Sequence, residues 1–448
     1  MTTRHTQHLP SDTRGAALLA ALCFSLVLAI VLSSYITMCY RSLQMSARNA
    51  SSGHSVELAE TGMEEALWAL HNNDWTGWAI NGHTATKTLT GFTFDSNATG
   101  SVSLTIANYD GTSGTRTLTT TGTLTLSDGT THNRTLTSTS SLAPLFVNAI
   151  AATGNSTTTY NGVSFQNGGT VSSYDSSTDI NAANVGYSAV VASKSNLTSA
   201  QVSTGTVQMT NVNIKGYIAT MPGSAGVSYS TNATLYGPTS PANPKIDTSR
   251  ETTSPYQPIF DVITPSAPNP LGSGSQTIGT AGATTPTYYY YSGNYYLGTG
   301  STLTVNGPVV IVISGYLWTD GTAATGGKIN VASTGSLAIF VRGDMRIDGG
   351  GIVNATKLPK NVAIFGQTGN NNAVEFWTTV PFYGVIYMPQ ASMTFANNPT
   401  YYGALVAQSV TFGATSSPTF LYDTSLRNVA FAGIDTPYAV ANVRETTP

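Results

Sequence analysis

The chain has 448 residues, with 18 Lys and Arg against 21 Asp and Glu, for a formal net charge of −3. Only 9% of residues are charged, against about 25% in an average globular protein, and no basic cluster offers itself to a nucleic acid. Disorder is argued against as well, since 40% of residues are hydrophobic and 23 are Tyr, and disordered chains are poor in aromatics.

The first predicted element is a helix. No residue from Gly15 to Tyr40 is charged, and about 20 apolar residues suffice to cross a bilayer. Arg14 and Arg41 bracket the run, and the small residue Gly15 precedes it, the reverse of the order in a secretory signal. Beyond it Val56, Ala59, Met63, Leu67 and Leu70 recur at steps of three and four, which predicts one apolar stripe on a continuing helix. A helix over 16–73 is a rod of roughly 80 Å, ended by the polar His71-Asn72-Asn73-Asp74. Cys23 and Cys39 lie sixteen residues apart in the apolar run. In a helix that is about 24 Å, too far for a disulfide.

Two segments here resemble a known family. Thr13-Arg14-Gly15 followed by Ala16-Ala17-Leu18-Leu19 resembles the class III leader of type IV pilins, and of PilX-type minor pilins in particular. Glu57-Leu58-Ala59-Glu60-Thr61-Gly62-Met63-Glu64-Glu65-Ala66-Leu67 is similar to the stretch that follows the anchor in those proteins. The resemblance covers the N-terminal part of the chain, as far as about Leu70. It implies that prepilin peptidase cuts between Gly15 and Ala16, and that the partners are the inner membrane and other pilin or pseudopilin subunits. Ala20 stands where major pilins carry a glutamate, and Thr37 where they carry a kinking proline. Both departures point to a minor subunit, and a plain uncleaved membrane anchor stays as the alternative.

Residues 74–144 read as a small antiparallel β module, with turns at Asp110-Gly111 and Asp128-Gly129 between Thr- and Leu-rich strands. From about 145 the chain repeats loosely. VVIVISG, LAIFVRG, VAIFGQ, GVIYMPQ and GALVAQS begin 28, 25, 22 and 19 residues apart. LTVNG, INVAS, MRIDG, AVEFW, SMTFA and SVTFG interleave with them. Two strands per repeat and no helix predict a right-handed parallel β-solenoid. Its opening coils fall at 145–220, its main body at 275–426, with a proline-rich loop or linker at 221–274 and a tail at 427–448. The fold class is therefore mainly β behind one long transmembrane helix. Val171–Ser176, Gly384–Pro389 and Leu421–Leu426 also resemble solenoid passenger domains found behind PilX-like anchors.

Chemistry is sparse. The histidines stand at 5, 8, 54, 71, 83 and 132, so the solenoid has none. No paired Cys or His at ligand spacing, no phosphate loop and no nucleophile elbow occurs, so neither metal nor cofactor is expected. Arg342, Asp344, Arg346 and Asp348 alternate and are expected on one face, as a ligand or partner surface able to grip a uronic acid or a metal, against the plainer reading of a salt-bridge ladder. The pair Asp344 and Asp348 would stand about 13 Å apart on a strand, wider than the roughly 5–9.5 Å of glycosidase carboxylates. Arg342-Gly343-Asp344 also spells an adhesion tripeptide. Tyr288, Tyr289, Tyr290 and Tyr291 form a candidate sticky patch for a glycan or other surface ligand, against the plainer reading of a strand with alternating rings.

The sequence thus predicts a non-enzymatic minor pilin or pseudopilin-like component. It would sit in the bacterial inner membrane with its β domains periplasmic, then reach a pilus or the cell surface. A tethered carbohydrate-active solenoid enzyme is the alternative.

Overall fold

A computed structural model describes residues 13–72, 74–94, 98–109, 115–154, 162–202, 205–240, 245–367, 373–429, 431 and 438–446. The chain divides into two compact units, residues 1–141 with 438–448, and residues 142–437.

In the first unit helix α1 runs unbroken over Thr13–Asn72, a stretch without proline. Its internal hydroxyls bond back to the preceding turn, Ser25 to the Leu22 carbonyl and Thr37 to that of Ser33, each at 2.8 Å. Large apolar side chains from Leu18 to Met45 are exposed. Further on the helix buries Ser55, Leu58, Ala59, Met63, Ala66, Ala69 and Leu70. That stripe is rotated from the expected one, for Val56 and Leu67 are only half-buried. The reason is backbone proximity, because the sheet is met by the helix's smallest residues. A Cβ on Gly62 would stand 2.5 Å from Val102 Cγ1, and one on Gly122 would collide with the Ser55 carbonyl.

That sheet has six strands. β1 (Ala79–Asn81), β2 (Thr84–Thr93), β3 (Thr99–Ala107), β4 (Arg116–Thr125) and β5 (Thr131–Leu142) form an antiparallel meander. Val102, Leu104, Ile106 and Leu118 are buried and Thr fills the alternate positions, the pattern of a sheet covered on one face. The turn at Asp128-Gly129 is present, with Gly129 at φ 82° and Asp128 accepting the Thr130 N–H at 2.8 Å. Asp110-Gly111 lies outside the described residues. The sixth strand, β6 (Tyr438–Thr446), lies beside β5. The expected tail is therefore sheet, and the whole second unit is an insertion between β5 and β6.

The second unit is built of parallel strands in three ladders, one more than the two strands per repeat expected. LTVNG and INVAS belong to a separate ladder with Gln276–Ile278 and Gly351–Asn354. MRIDG, AVEFW, SMTFA and SVTFG pair in another. Strands of three or four residues with the same alternation carry no sequence mark of which ladder they join.

The first ladder holds the expected apolar runs. Its inward residues form one column, Ile311, Ile339, Ile364, Ile386, Leu405, Ile150, Val191 and Ile218, each the register partner of the next. The second ladder stacks Phe376, Phe395, Phe412 and Phe165 at 5.1, 4.7 and 4.7 Å. In both columns the order jumps from residues near 400 to residues near 150. The stack thus begins at 269, runs to 423, and continues with 150 to 252. The opening coils follow the main body in space.

This order corrects the proline-rich loop. Val227–Tyr229, Thr234–Tyr236 and Glu251–Thr252 are strands of the last turns, and Asn269–Pro270 pairs with Tyr289 and Tyr290 at the other end. The stretch 253–268 lies between the two ends of the first ladder in sequence, and it must join them. From 251–252 the first ladder passes through strands at 218, 191, 150, 405, 386, 364, 339, 311 and 289 to 269–270. Those ten spacings, at about 4.8 Å each, make about 48 Å. The seventeen steps from Thr252 to Asn269 reach about 56 Å fully extended at 3.3 Å each. The strap has little slack, and Pro255, Pro258, Pro265 and Pro268 hold it extended.

The strap is packed down rather than looped out. Gln257, 2% exposed, donates to the Leu145 carbonyl at 2.8 Å, and Asn148 donates to the Tyr256 carbonyl at 2.8 Å. The Tyr387 hydroxyl accepts the Phe260 N–H at 2.6 Å and donates to the Phe260 carbonyl at 3.1 Å. Burial pushes that hydroxyl up to about 12.

Two outcomes are expected. Ile364→Asp should abolish the cooperative unfolding transition of the second unit, since an unpaired charge would enter a closed column. Tyr387→Phe should lower stability by roughly 1–3 kcal/mol, as both Phe260 backbone groups lose their partner. Denaturant titration should register this as a shifted midpoint.

Candidate functional site

Alternation in the second ladder sends every other side chain outward. Register partners form one outward row, Tyr296, Trp318, Arg346, Glu375, Thr394 and Thr411, continued by Ser164, Gln208 and Ser228, of which Tyr296 and Thr394 are exposed and the others half-buried. The row is aromatic and charged at one end and carries hydroxyls and an amide at the other.

At the aromatic end, Tyr296 meets Trp318 edge-on at 5.9 Å, and Tyr316 packs against Trp318 at 6.2 Å. The Arg346 guanidinium lies 5.2 Å from the Trp318 ring and 4.6 Å from that of Trp377, in cation–π range. Its nitrogens stand 3.1 Å from Asp348 and 4.0 Å from Glu375. The Trp377 indole N–H donates to Glu375 at 3.1 Å, and the Tyr296 hydroxyl donates to Asp320 at 2.7 Å. That hydroxyl, with the Gly321 amide, holds the Asp320 carboxyl below the usual carboxylate range, and the same bond raises Tyr296. Tyr296 is 48% and Trp377 39% exposed. The Trp318 Nε1 and Arg346 Nε are buried without a hydrogen-bond partner.

The structure splits the four charges expected on one face. Arg346 and Asp348 belong to the cluster. Arg342 and Asp344 lie in the turn before the three-residue strand Met345–Ile347, and Asp344 accepts the Ala373 N–H at 2.9 Å. The turn rather than a continuous strand carries them, so strand alternation does not govern their direction.

The tyrosine run is a strand, Thr287–Tyr291, of the first ladder. Tyr289 continues the inward column at Ile311, and Tyr291 packs edge-on against buried Tyr295 at 4.9 Å. Of the four rings only Tyr290, at 39%, is exposed. Gly15 and Ala16 fall in the first turn of α1. Asp320, Trp318, Glu375 and Trp377 join the site without having been expected in it, although LWTD, MRID and VEFW each alternate an outward ring or charge with buried inward residues.

A cavity of about 350 Å³ opens where the strap residues Ile259–Val262 cross Lys194, Gln367 and Met388. Among the described residues no three His, Cys, Asp or Glu side chains group closely enough to hold a metal ion.

A family model described only as a domain of unknown function, DUF7305, matches residues 245–429. No curated protein matches the chain. Among solved structures, the chain is similar to the competence-associated pilin ComZ from Thermus thermophilus, at 10% identity over 88% of this chain and 98% of that one. The TM-score is 0.25, at which nothing about this chain's fold or role follows.

Asp320 supplies a pH test. A carboxyl held low in the folded state stabilises at pH above its unfolded value near 3.9, and that contribution is lost as pH falls through the lower folded value. Wild type should exceed Asp320→Asn in denaturant midpoint at neutral pH, and the gap should close on acidification below about pH 4.

Proposed function

We propose that the chain is a non-enzymatic, PilX-like minor pilin or pseudopilin subunit that displays a right-handed β-solenoid. The carrying observation is the change of surroundings along α1, exposed from Leu18 to Met45 and uncharged as far as Tyr40, then buried against an antiparallel sheet from Ser55 onward. One half suits lipid or neighbouring apolar helices, and the other anchors a folded module. The leader-like Thr13–Leu19 adds the processing step, with prepilin peptidase cutting after Gly15. The membrane-held precursor then places its β units on the periplasmic side before joining a pilus-type filament. Right-handedness follows the rule that about 98% of parallel crossover connections turn that way.

The absence of catalysis is part of the same proposal. Asp344 and Asp348 are both committed, one to the Ala373 amide and the other to Arg346, and the inserted unit contains no histidine.

Mass spectrometry of the protein extracted from membranes should give Ala16 as the N-terminus, and Gly15→Leu should leave the precursor uncut. An intact leader on the wild-type protein in filaments would remove the pilin reading.

A further inference from the structure

We propose that the Tyr296–Trp318–Arg346–Trp377 cluster is a binding site for a neutral polysaccharide chain lying along the outward row of the second ladder. Outward side chains of this ladder are not needed by the core, yet Tyr296 and Trp377 hold 48% and 39% of their surface in solvent. Exposed rings fixed by neighbours lose little entropy on binding and offer flat apolar faces. A pyranose has a matching apolar C–H face and a rim of hydroxyls.

The polar groups fit that rim. Asp320, Asp348 and Glu375 border the rings, each already oriented by a hydrogen bond or ion pair. Carboxylates are acceptors only, so they take hydroxyl donors in charge-assisted bonds. The charge excludes the acidic class, since one guanidinium, Arg346, stands against three carboxylates in direct contact with the cluster. A uronate or sulfated chain would be repelled.

The row also favours a polymer over a single sugar. Beyond Glu375 the register continues through exposed Thr394 to half-buried Thr411, before Ser164 and Gln208, which bond to each other at 2.7 Å. Successive polar groups lie about 4.8 Å apart, the strand spacing. A chain anchored on the rings can bond to Glu375, Thr394 and Thr411 along its length.

This inference shares with the proposed function only the idea of a displayed domain. The leader-cleavage result leaves it untouched, because binding is measured on the purified chain. Full-length protein in detergent is incubated with insoluble cellulose, chitin and mannan, and with polygalacturonate as the acidic control. Retention on at least one neutral polymer is expected, surviving high salt, with a change in tryptophan fluorescence when soluble oligomers of that polymer are added. Trp377→Ala and Tyr296→Ala should each weaken retention by about tenfold, the loss of one aromatic contact. Tyr296→Phe, which keeps the ring and breaks the bond to Asp320, should retain binding. Thermal melts of the variants separate lost binding from lost folding, and the wild-type fluorescence response stands whether or not they fold. No retention on any neutral polymer, retention on polygalacturonate alone, or full retention by the Trp377→Ala/Tyr296→Ala double variant would overturn the site.

Discussion

Through its central turns the first ladder of the inserted unit is buried on both faces, and the rest of that unit is arranged around this. Inward, its aliphatic column fills the space between the ladders. Outward, Phe340, Phe365, Tyr387 and Val406 are also buried, because Phe146, Phe431 and the strap lie over them. A sheet covered on both sides is the usual home of parallel strands with continuous apolar sequences. A strand such as VVIVI would otherwise expose two large side chains, Val310 and Val312, to water. The strap is therefore structural, and its removal would uncover the outer side of the ladder.

Chain order gives the same constraint a second consequence. The polypeptide enters the stack between 423 and 150, builds one end, and crosses to the other before winding back. The rings of Phe412 and Phe165 stack on each other although they come from opposite ends of the inserted unit's sequence, so that contact forms only after nearly all of the unit has been made. Closing so large a loop costs entropy that is returned only late, so folding is expected to be slow. The same holds for β6, which joins its sheet only after the whole inserted unit has followed β5.

Much of this is legible in the sequence, and the failures have physical causes. The helix is visible because an uncharged stretch of such length has one common explanation, and the five apolar repeats because double burial leaves an unbroken run of hydrophobic residues. The permuted order is not visible. Parallel ladders accept any strand with the right alternation, so nothing in FVNAIAATGN announces that Ile150 will sit on Leu405. The proline-rich segment misleads because proline disfavours ladder strands without excluding them, Pro270 being in one, and says nothing about whether the chain lies free or stretched over a surface. The candidate site is half legible. Arg346 and Asp348 stand out as charges, while Trp318 and Trp377 become their neighbours only through a register that joins separate turns of the chain.

That register explains why a site forms on the second ladder and not on the first. A column in the first ladder is fixed by packing on both sides, so its residue types are restricted to those that fill space. In the second ladder only the inward half is fixed, by Met345, Ile347, Val374 and Phe376. Its outward half is free to carry any residue the strand geometry tolerates. Stacking then converts single positions on distant segments into a contiguous surface, with each turn of chain adding one side chain to the row. A large aromatic there exposes apolar area to water with no gain to the core, and Arg346 is held between two such rings by two carboxylates. The bonds within the cluster add stability, whereas the exposed faces of Tyr296 and Trp377 add nothing to the core, and it is these that a bound molecule accounts for.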